Sequence, residues 1–597
     1  MTTPAKQLRL RRPSRCVPLF ALLLVVAGPG SRPASAATPT LPPDSLRAGM
    51  VGVGYSVFQD SRIDSFGVTV LGVLKGNRPG GDLILGRAQG AYLERTGIIA
   101  GMSGSPVYVD GRLIGAMAFA WPFNKEPIAG ITPIREMLED LRRVPADAGA
   151  GSEDRYGSLA APPGGAAARP GGAAPIATPI ALGGFTPEAT AYLEPWLAER
   201  GLVATPGGAS LPGGSCDSIV PGAAVGVQLI RGDWNATAIG TATYRDGDRV
   251  LAFGHPFFAL GQVQLPLTAA TIQTVMPSQQ ISNKVGSATR LCGTLVADRS
   301  VGVAGVLGPA PSMVPVSVSV EGPAARSRHY RFEVARSRFL TPGLVAATVV
   351  NSISEALYDV GPSTTRYELT YFLNGGAGRL TRGNAWIVPA PLSGPGEEVN
   401  TTLNALLGNR FQPVRLDSVA ATVAISPEPQ DAQISTVRVV PAIAAPGDSV
   451  RVEVTVRPSR HEVERKWVGL RIPESTPPGT LTVRACDARS TEQWERERAP
   501  DRYEARDLAQ LLALLGAERR ADRVYVQLYR PAPGATVRGS ELSQAPTSML
   551  EVLEGGAASG ETAKTKGATL EEESIPIERV VGGCETATLE VLPYRPR

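Results

Sequence analysis

Residues 97–118 read GIIAGMSGSPVYVDGRLIGAMA, and the core of that stretch, Gly101-Met102-Ser103-Gly104-Ser105-Pro106, has the composition of a turn built to display a nucleophile. A glycine two residues before a serine lets consecutive backbone N–H groups converge on one point, which is what a developing oxyanion requires. The flanks agree with this reading. Ile98-Ile99 reads as a short apolar strand entering the turn, and Val107 to Ile114 as a β-hairpin leaving it, because Asp110-Gly111 supplies the two positive φ angles of a two-residue turn. The strand–serine–helix elbow of α/β-hydrolases needs Gly at the position of Ser105 and a helix after the serine. Neither is present. A merely flexible Gly/Ser loop is the plain alternative, and Pro106, the hairpin and the spacing argue against it. Ser103 is therefore the candidate nucleophile, with Gly101 and Ser103 as candidate oxyanion amides, and Ser105 is read as a turn residue.

At 597 residues and 43% apolar content the chain is globular and long enough for two or three domains. Its 66 glycines and 52 prolines, with few long helical periodicities, favour turn-rich β folds. Residues 1–36 read as a signal peptide. They hold a basic region (Lys6, Arg9, Arg11, Arg12, Arg15), an apolar run from Val17 to Ala27 and an Ala34-Ser35-Ala36 cleavage site. The expected location is outside the cytoplasm, in the periplasm, cell envelope or medium. The apolar run is too short for a permanent span, so no stable transmembrane anchor is expected. The leader carries six cations and no anions, so its removal takes the formal charge from +4 to −2. With no basic run interleaved with aromatics, nucleic-acid binding has no footprint.

Four cysteines remain beyond the leader, Cys216, Cys292, Cys486 and Cys584, an even number in a chain read as exported. The pairs expected are Cys216–Cys292 and Cys486–Cys584, one in each of two candidate domains. Their wide spacing, and a total of three histidines, argue against zinc. No metal or organic cofactor is expected.

The chain divides into blocks by composition. Residues 37–143 hold strands at Gly52–Phe58, Phe66–Leu74 and Leu83–Leu85, the serine hairpin, and an amphipathic helix at Pro133–Leu141. Residues 144–182 are rich in Ala, Gly and Pro and read as a flexible linker. Residues 183–391 hold a helix (Pro187–Arg200), strands at Ala223–Ile230, Ala236–Tyr244 and Arg249–Phe253, a helix opened by Thr341-Pro342 that is expected to be buried in protein, and strands at Tyr367–Phe372 and Ala385–Val388. Thr341 is expected to cap that helix. Residues 392–430 read as a connector. Residues 431–597 form a β-rich C-terminal domain, for which an immunoglobulin-like sandwich fits the strand pattern, with a core-spaced helix at Ala505–Leu515 and a loop at Gly555–Lys566.

An activated serine needs a base, most often a neutral histidine. His461 lies in the charged segment RHEVERK, and His329 alternates in SRHYRFEV as a half-exposed strand residue. His255, in LAFGHPFF, ends an apolar strand in a Gly/Pro-bounded turn, where a rigid scaffold can display it. His255 is the candidate base.

The segments GMSGSPVYVDGRLIGAM and EPIAGITPIREML are similar to the serine segment of the SpoIVB-type peptidases, and IGTATYRDGDRVLAFGHPF resembles the segment carrying that family's histidine. The two resemblances span roughly half of the mature chain. They imply a mostly β, trypsin-like double β-barrel core in two segments, with Ser103 as nucleophile and His255 as base. The implied activity is that of a serine endopeptidase acting on an extracytoplasmic protein or peptide, itself included. The family has its histidine segment before its serine segment, and here the order is reversed; such constellations recur in different chain orders. Where the family has its aspartate this chain has Ala88. Asp82 and Asp298 are the substitutes the sequence offers, each equally readable as a turn or surface carboxylate. No PDZ-like segment is visible, and the C-terminal block has no counterpart in the sporulation protein. The alternative from a different class is a non-catalytic envelope scaffold or binding protein that keeps the fold without the acid.

Overall fold

In the computed structural model the strands around the serine turn close on themselves. The structure describes residues 38–594 apart from 79–80, 145–171, 212, 323–326, 358–362, 374–377, 389–392, 533, 543–546 and 556–561. The proposed leader and most of the proposed linker lie outside these residues. The first barrel runs antiparallel through Pro106–Val109, Val51–Gln59, Arg62–Arg78, Gly81–Gln89, Ile128–Pro133 and Arg112–Ala120, and the last of these pairs again with the first. Period-two alternation explains the ring: Phe66, Val68, Val70, Ile84 and Ile131 point inward and are buried together, while Val57, on the other face of its strand, is buried against Ile239 and Ile272 of the neighbouring barrel. Asp110 and Gly111 at the hairpin tip both have positive φ, as the two-residue turn demands.

A second antiparallel ring is made by Ala224–Gly232, Gly261–Met276, Asn283–Arg299, Gly302–Leu307, Arg249–Ala252 and Asn235–Asp246, the last closing on the first. The chain is thus mostly β, as its turn chemistry and alternation predicted, with the double-barrel core that the family resemblance implied. Cys216 is bonded to Cys292 on this second barrel. Its sheet continues past the ring through Arg328–Ala335, Met313–Glu321, Leu416–Ser426, Ser363–Leu373 and Gly378–Val388. The helix Thr341–Leu357 is buried along nearly its whole length against this extension, and Asn351 bonds the Thr186 amide at 2.9 Å.

Several segments differ from their sequence reading. Residues 98–99 form no strand; only Ala100 makes a bridge, to Asn283 of the other barrel. The described end of the proposed linker is strand: Ala174–Pro175 adds to the edge of Arg112–Ala120, and Thr178–Gly183 joins the second barrel. Apolar Ile176 and Ile180 are buried there, which the Ala/Gly/Pro composition around them masked. Residues 392–430 hold the helix Ser393–Leu407 and the strand Leu416–Ser426, more structure than a connector. Thr341 lies inside its helix, and Ser337 instead receives the Phe339 and Leu340 amides.

The C-terminal block is a two-sheet sandwich, with Glu464–Arg471, Ser449–Pro458, Asp431–Val440 and Val580–Gly582 facing Ile443–Ala444, Cys584–Val591, Gly479–Cys486, Arg523–Arg530 and Ala568–Pro576. Val450, Val452 and Val454 meet Val483, Val526 and Leu589 across the gap. Cys486 and Cys584, opposite each other on neighbouring strands, are bonded. Thr562–Thr565, expected as loop, is a strand; residues 556–561 lie outside the described residues.

The two barrels share a packed seam. Leu113, Ala116 and Met137 from the first meet Tyr244, Leu251 and Val296 from the second. Arg299 reaches Asp140 across it at 2.8 Å. The serine turn sits in this seam.

Candidate functional site

The turn at 100–105 is held by both barrels. Gly101 and Gly104 both have φ of +94°, a region that side chains other than glycine's rarely tolerate. At Gly104 the packing is also closed: a Cβ there would fall 2.0 Å from the Thr241 carbonyl oxygen and 2.5 Å from the Phe253 nitrogen. The Gly104 amide donates to the Met117 carbonyl at 2.8 Å. From the second barrel, the Thr241 amide donates to Ser103 O at 2.9 Å, the Thr241 hydroxyl to Gly101 O at 3.0 Å and the Thr243 hydroxyl to Gly104 O at 2.7 Å. Among the described residues no acceptor takes the Gly101 or Ser103 amide. Ser103 is fully buried and its Oγ has no hydrogen-bond partner among the described residues. The Ser105 hydroxyl donates to Met102 O at 2.7 Å, inside the turn.

His255 follows two residues of positive φ, Phe253 at 65° and Gly254 at 69°. The Gly254 carbonyl accepts the Thr132 hydroxyl at 2.7 Å, and a Cβ on Gly254 would lie 3.0 Å from Ala116 and 3.3 Å from the Met117 carbonyl oxygen. The serine turn and the histidine turn therefore both rest on Ala116–Ala118 of the first barrel. His255 Nδ1 lies 2.7 Å from the Pro256 carbonyl oxygen. A carbonyl only accepts, so Nδ1 carries the proton and Nε2 keeps its lone pair. Burial pulls the imidazole down to about 4 against the opposing pull of the Pro256 and Ile176 backbone groups, so the ring is neutral at ordinary pH. Nε2 is buried and meets no partner in hydrogen-bond geometry among the described residues, so no hydrogen bond joins Ser103 to His255 in this state. A cavity of about 1080 Å³ opens beside His255, lined by Ile98, Ala100, Ile176, Phe257, Phe258 and Phe339 among others.

Neither carboxylate offered by the sequence bonds the histidine. Asp298, fully buried, accepts the amides of Phe257 at 2.7 Å, Phe258 at 2.7 Å and Leu260 at 3.3 Å, fastening the loop that follows His255. Burial raises its carboxyl to about 6 although these amides pull it down. Asp82 sits at the end of a hairpin, where it accepts Lys75 Nζ and the Gly76 amide, each at 3.0 Å. Ala88 is buried in its strand. His329 and His461 are exposed, and His329 bonds Ser319. No cluster of three or more metal-ligating side chains occurs among the described residues.

One ionisable group escaped the sequence reading. Lys284, on the strand Asn283–Arg299, is fully buried in the seam and donates to Ser56 Oγ at 2.9 Å. Its only signal in the sequence is a lone cation at the head of a strand of small and apolar residues.

Residues 44–138 match the family model described as SpoIVB peptidase S55. The match spans the first barrel and the serine turn and ends in the helix Ile134–Arg142, ahead of His255. No curated protein and no solved structure gives a significant match.

Proposed function

From the SpoIVB-type peptidase assignment of residues 44–138 as premise, we propose that this protein is an exported serine endopeptidase working by Ser103–His255 acyl transfer. The observation that carries the reading is the meeting of the two turns on Ala116–Ala118, which brings a nucleophile turn from one barrel and a base turn from the other to a common support. Ser103 Oγ attacks the scissile carbonyl and its proton passes to His255 Nε2. The imidazolium then gives that proton to the leaving amine, and water, deprotonated by the same nitrogen, releases the acyl group. The unclaimed Gly101 and Ser103 amides are the donors for the oxyanion. With no carboxylate on the ring, the Pro256 carbonyl fixes the tautomer, and the imidazolium lacks the counter-charge that a triad supplies. Hydrogen bonds of this kind tighten in the substrate complex, which fits a serine and a histidine whose turns share a support yet are unjoined in the free protein. Two disulfides support export, and no helix among the described residues is long and apolar enough to cross a membrane.

One observation favours the scaffold alternative, namely that Ala88 occupies the place of the family acid and, among the described residues, no carboxylate bonds His255. A fluorophosphonate probe separates the two. The peptidase reading expects labelling of the mature protein that is lost in Ser103→Ala and His255→Ala, while Ser105→Ala still labels, though more slowly. Wild-type protein that takes no label, and is processed no differently from Ser103→Ala, would be a scaffold.

A further inference from the structure

Lys284 is a buried amine without a counter-ion. The groups facing it are Ser56 and Phe58 from the strand Val51–Gln59, Thr241 from Asn235–Asp246, and the Gly101 backbone; none is charged, and no carboxylate pairs with it among the described residues. Burial alone brings the amine down to about 7. Enclosing such a group costs stability that a methionine of similar shape would not. Packing by itself therefore does not account for a lysine here.

Its contacts converge on the serine turn. The backbone amide of Lys284 donates to Ala100 O at 3.1 Å. Its Nζ donates to Thr241 Oγ1 at 3.3 Å, and that hydroxyl donates to Gly101 O. Its second bond goes to Ser56 Oγ, which lies 3.1 Å from Ser105 Oγ. The Ser105 hydroxyl and amide both donate to Met102 O, at 2.7 and 2.9 Å. In a trans peptide the carbonyl and the following N–H point in opposite directions. Holding Ala100 O and Met102 O inward therefore aims the Gly101 and Ser103 amides the other way, and among the described residues no acceptor takes either of them. Both peptide planes trace back to one residue.

We propose that Lys284 is a positioning residue for the oxyanion amides, its side chain acting on Ser103 through Ser56 and Ser105, and its backbone amide, which Lys284→Met keeps, holding Gly101 through Ala100. The inference rests on the reading of Ser103 as nucleophile, and it gives the second barrel a part in the nucleophile's geometry besides supplying the base.

The test is the rate of fluorophosphonate labelling from pH 5 to 9 in wild type, Lys284→Met and Ser56→Ala, with thermal unfolding measured in parallel. Lys284→Met should label at least tenfold more slowly while melting no lower than wild type. The wild-type profile should bend near pH 7, and the Lys284→Met profile should lack that bend. Ser56→Ala, which cuts the link to Ser105 but leaves the lysine, should show a smaller loss in the same direction and stands in if Lys284→Met does not fold. Labelling of a folded Lys284→Met within twofold of wild type at every pH overturns the proposal and leaves Ser103 as nucleophile. If wild type and Ser103→Ala label alike, the nucleophile reading fails instead. Hydrogen exchange over residues 99–106 then decides the bracing: faster exchange in Lys284→Met supports it, and unchanged exchange rejects it.

Discussion

The carboxylate of Asp298 accepts the Phe257 amide at 2.7 Å, two residues beyond His255. With Phe258 and Leu260 also bound, this one side chain fixes the exit of the histidine turn, while the Thr132 hydroxyl fixes its apex at Gly254. Asp298→Ala leaves two buried amides and one half-buried amide without an acceptor, which should cost about 3 kcal/mol in denaturant unfolding. It should also slow labelling of Ser103 by releasing His255. Asp298→Asn keeps one acceptor oxygen and turns an amide donor toward N–H groups, so it should fall between the two. Labelling at the wild-type rate in a folded Asp298→Ala would detach this carboxylate from the site.

Gly104 and Gly101 share the same φ but not the same surroundings. Alanine at Gly104 meets the Thr241 carbonyl and the Phe253 amide, backbone atoms of the second barrel that cannot yield without opening the seam. Alanine at Gly101 meets the Lys284 side chain at 3.1 Å and Pro179 at 3.2 Å, and its main penalty is the left-handed backbone, about 1–2 kcal/mol. Gly104→Ala should cost on the order of 3 kcal/mol or more. Equal unfolding midpoints for the two variants would show that the seam at Gly104 is soft.

What was legible in the sequence was local. The Asp110-Gly111 tip, the strands after Ser103 and before His255, and the helix at Pro187 follow from turn chemistry and alternation over a few residues, while the strand expected at Ile98-Ile99 did not form; both disulfide pairs followed from giving each candidate domain its own bridge. Ring closure was not legible, since the pairing of Ala224–Gly232 with Asn235–Asp246 that closes the second barrel adds no mark to either strand. The role of Asp298 was hidden for the same reason: GTLVADRS reads as a strand end, and its carboxylate finds its amides 40 residues earlier in the chain. Lys284 was passed over because a single lysine at a strand head is ordinarily solvated, and only the seam between two barrels buries it.

The sandwich domain has its own buried charges, independent of the proposed site. Arg498, fully enclosed, binds Glu495 at 2.6 Å and Glu541 at 2.5 Å, with Arg502 adding a second cation. Arg498→Ala leaves Glu495 and Glu541 facing each other with only the half-exposed Arg502 between them. A loss of about 3–5 kcal/mol is expected. Because these residues lie in the C-terminal block, the rate of Ser103 labelling below the unfolding transition should not change. A parallel loss of labelling at low temperature would instead tie the sandwich to the barrels.

The three buried ionisable groups of the seam give stability a defined pH dependence. His255 titrates near 4 in the folded chain against 6.5 when exposed, so between those values the unfolded chain binds the extra proton and stability rises with pH. Asp298 titrates near 6 against 3.8; over that window the folded chain holds the extra proton, and stability falls with pH. These two groups largely oppose each other below pH 6. Lys284 titrates near 7 against 10.5, so above pH 7 the unfolded chain again binds more protons and neither of the other two opposes the rise. Unfolding free energy should therefore increase between pH 7 and 9, by on the order of 2 kcal/mol from this group. Lys284→Met should flatten that slope and raise stability most at pH 7 and below, where the wild-type amine is charged and enclosed. Urea melts at pH 6, 7, 8 and 9 on both proteins measure it, and parallel slopes would mean that Lys284 is solvated in solution.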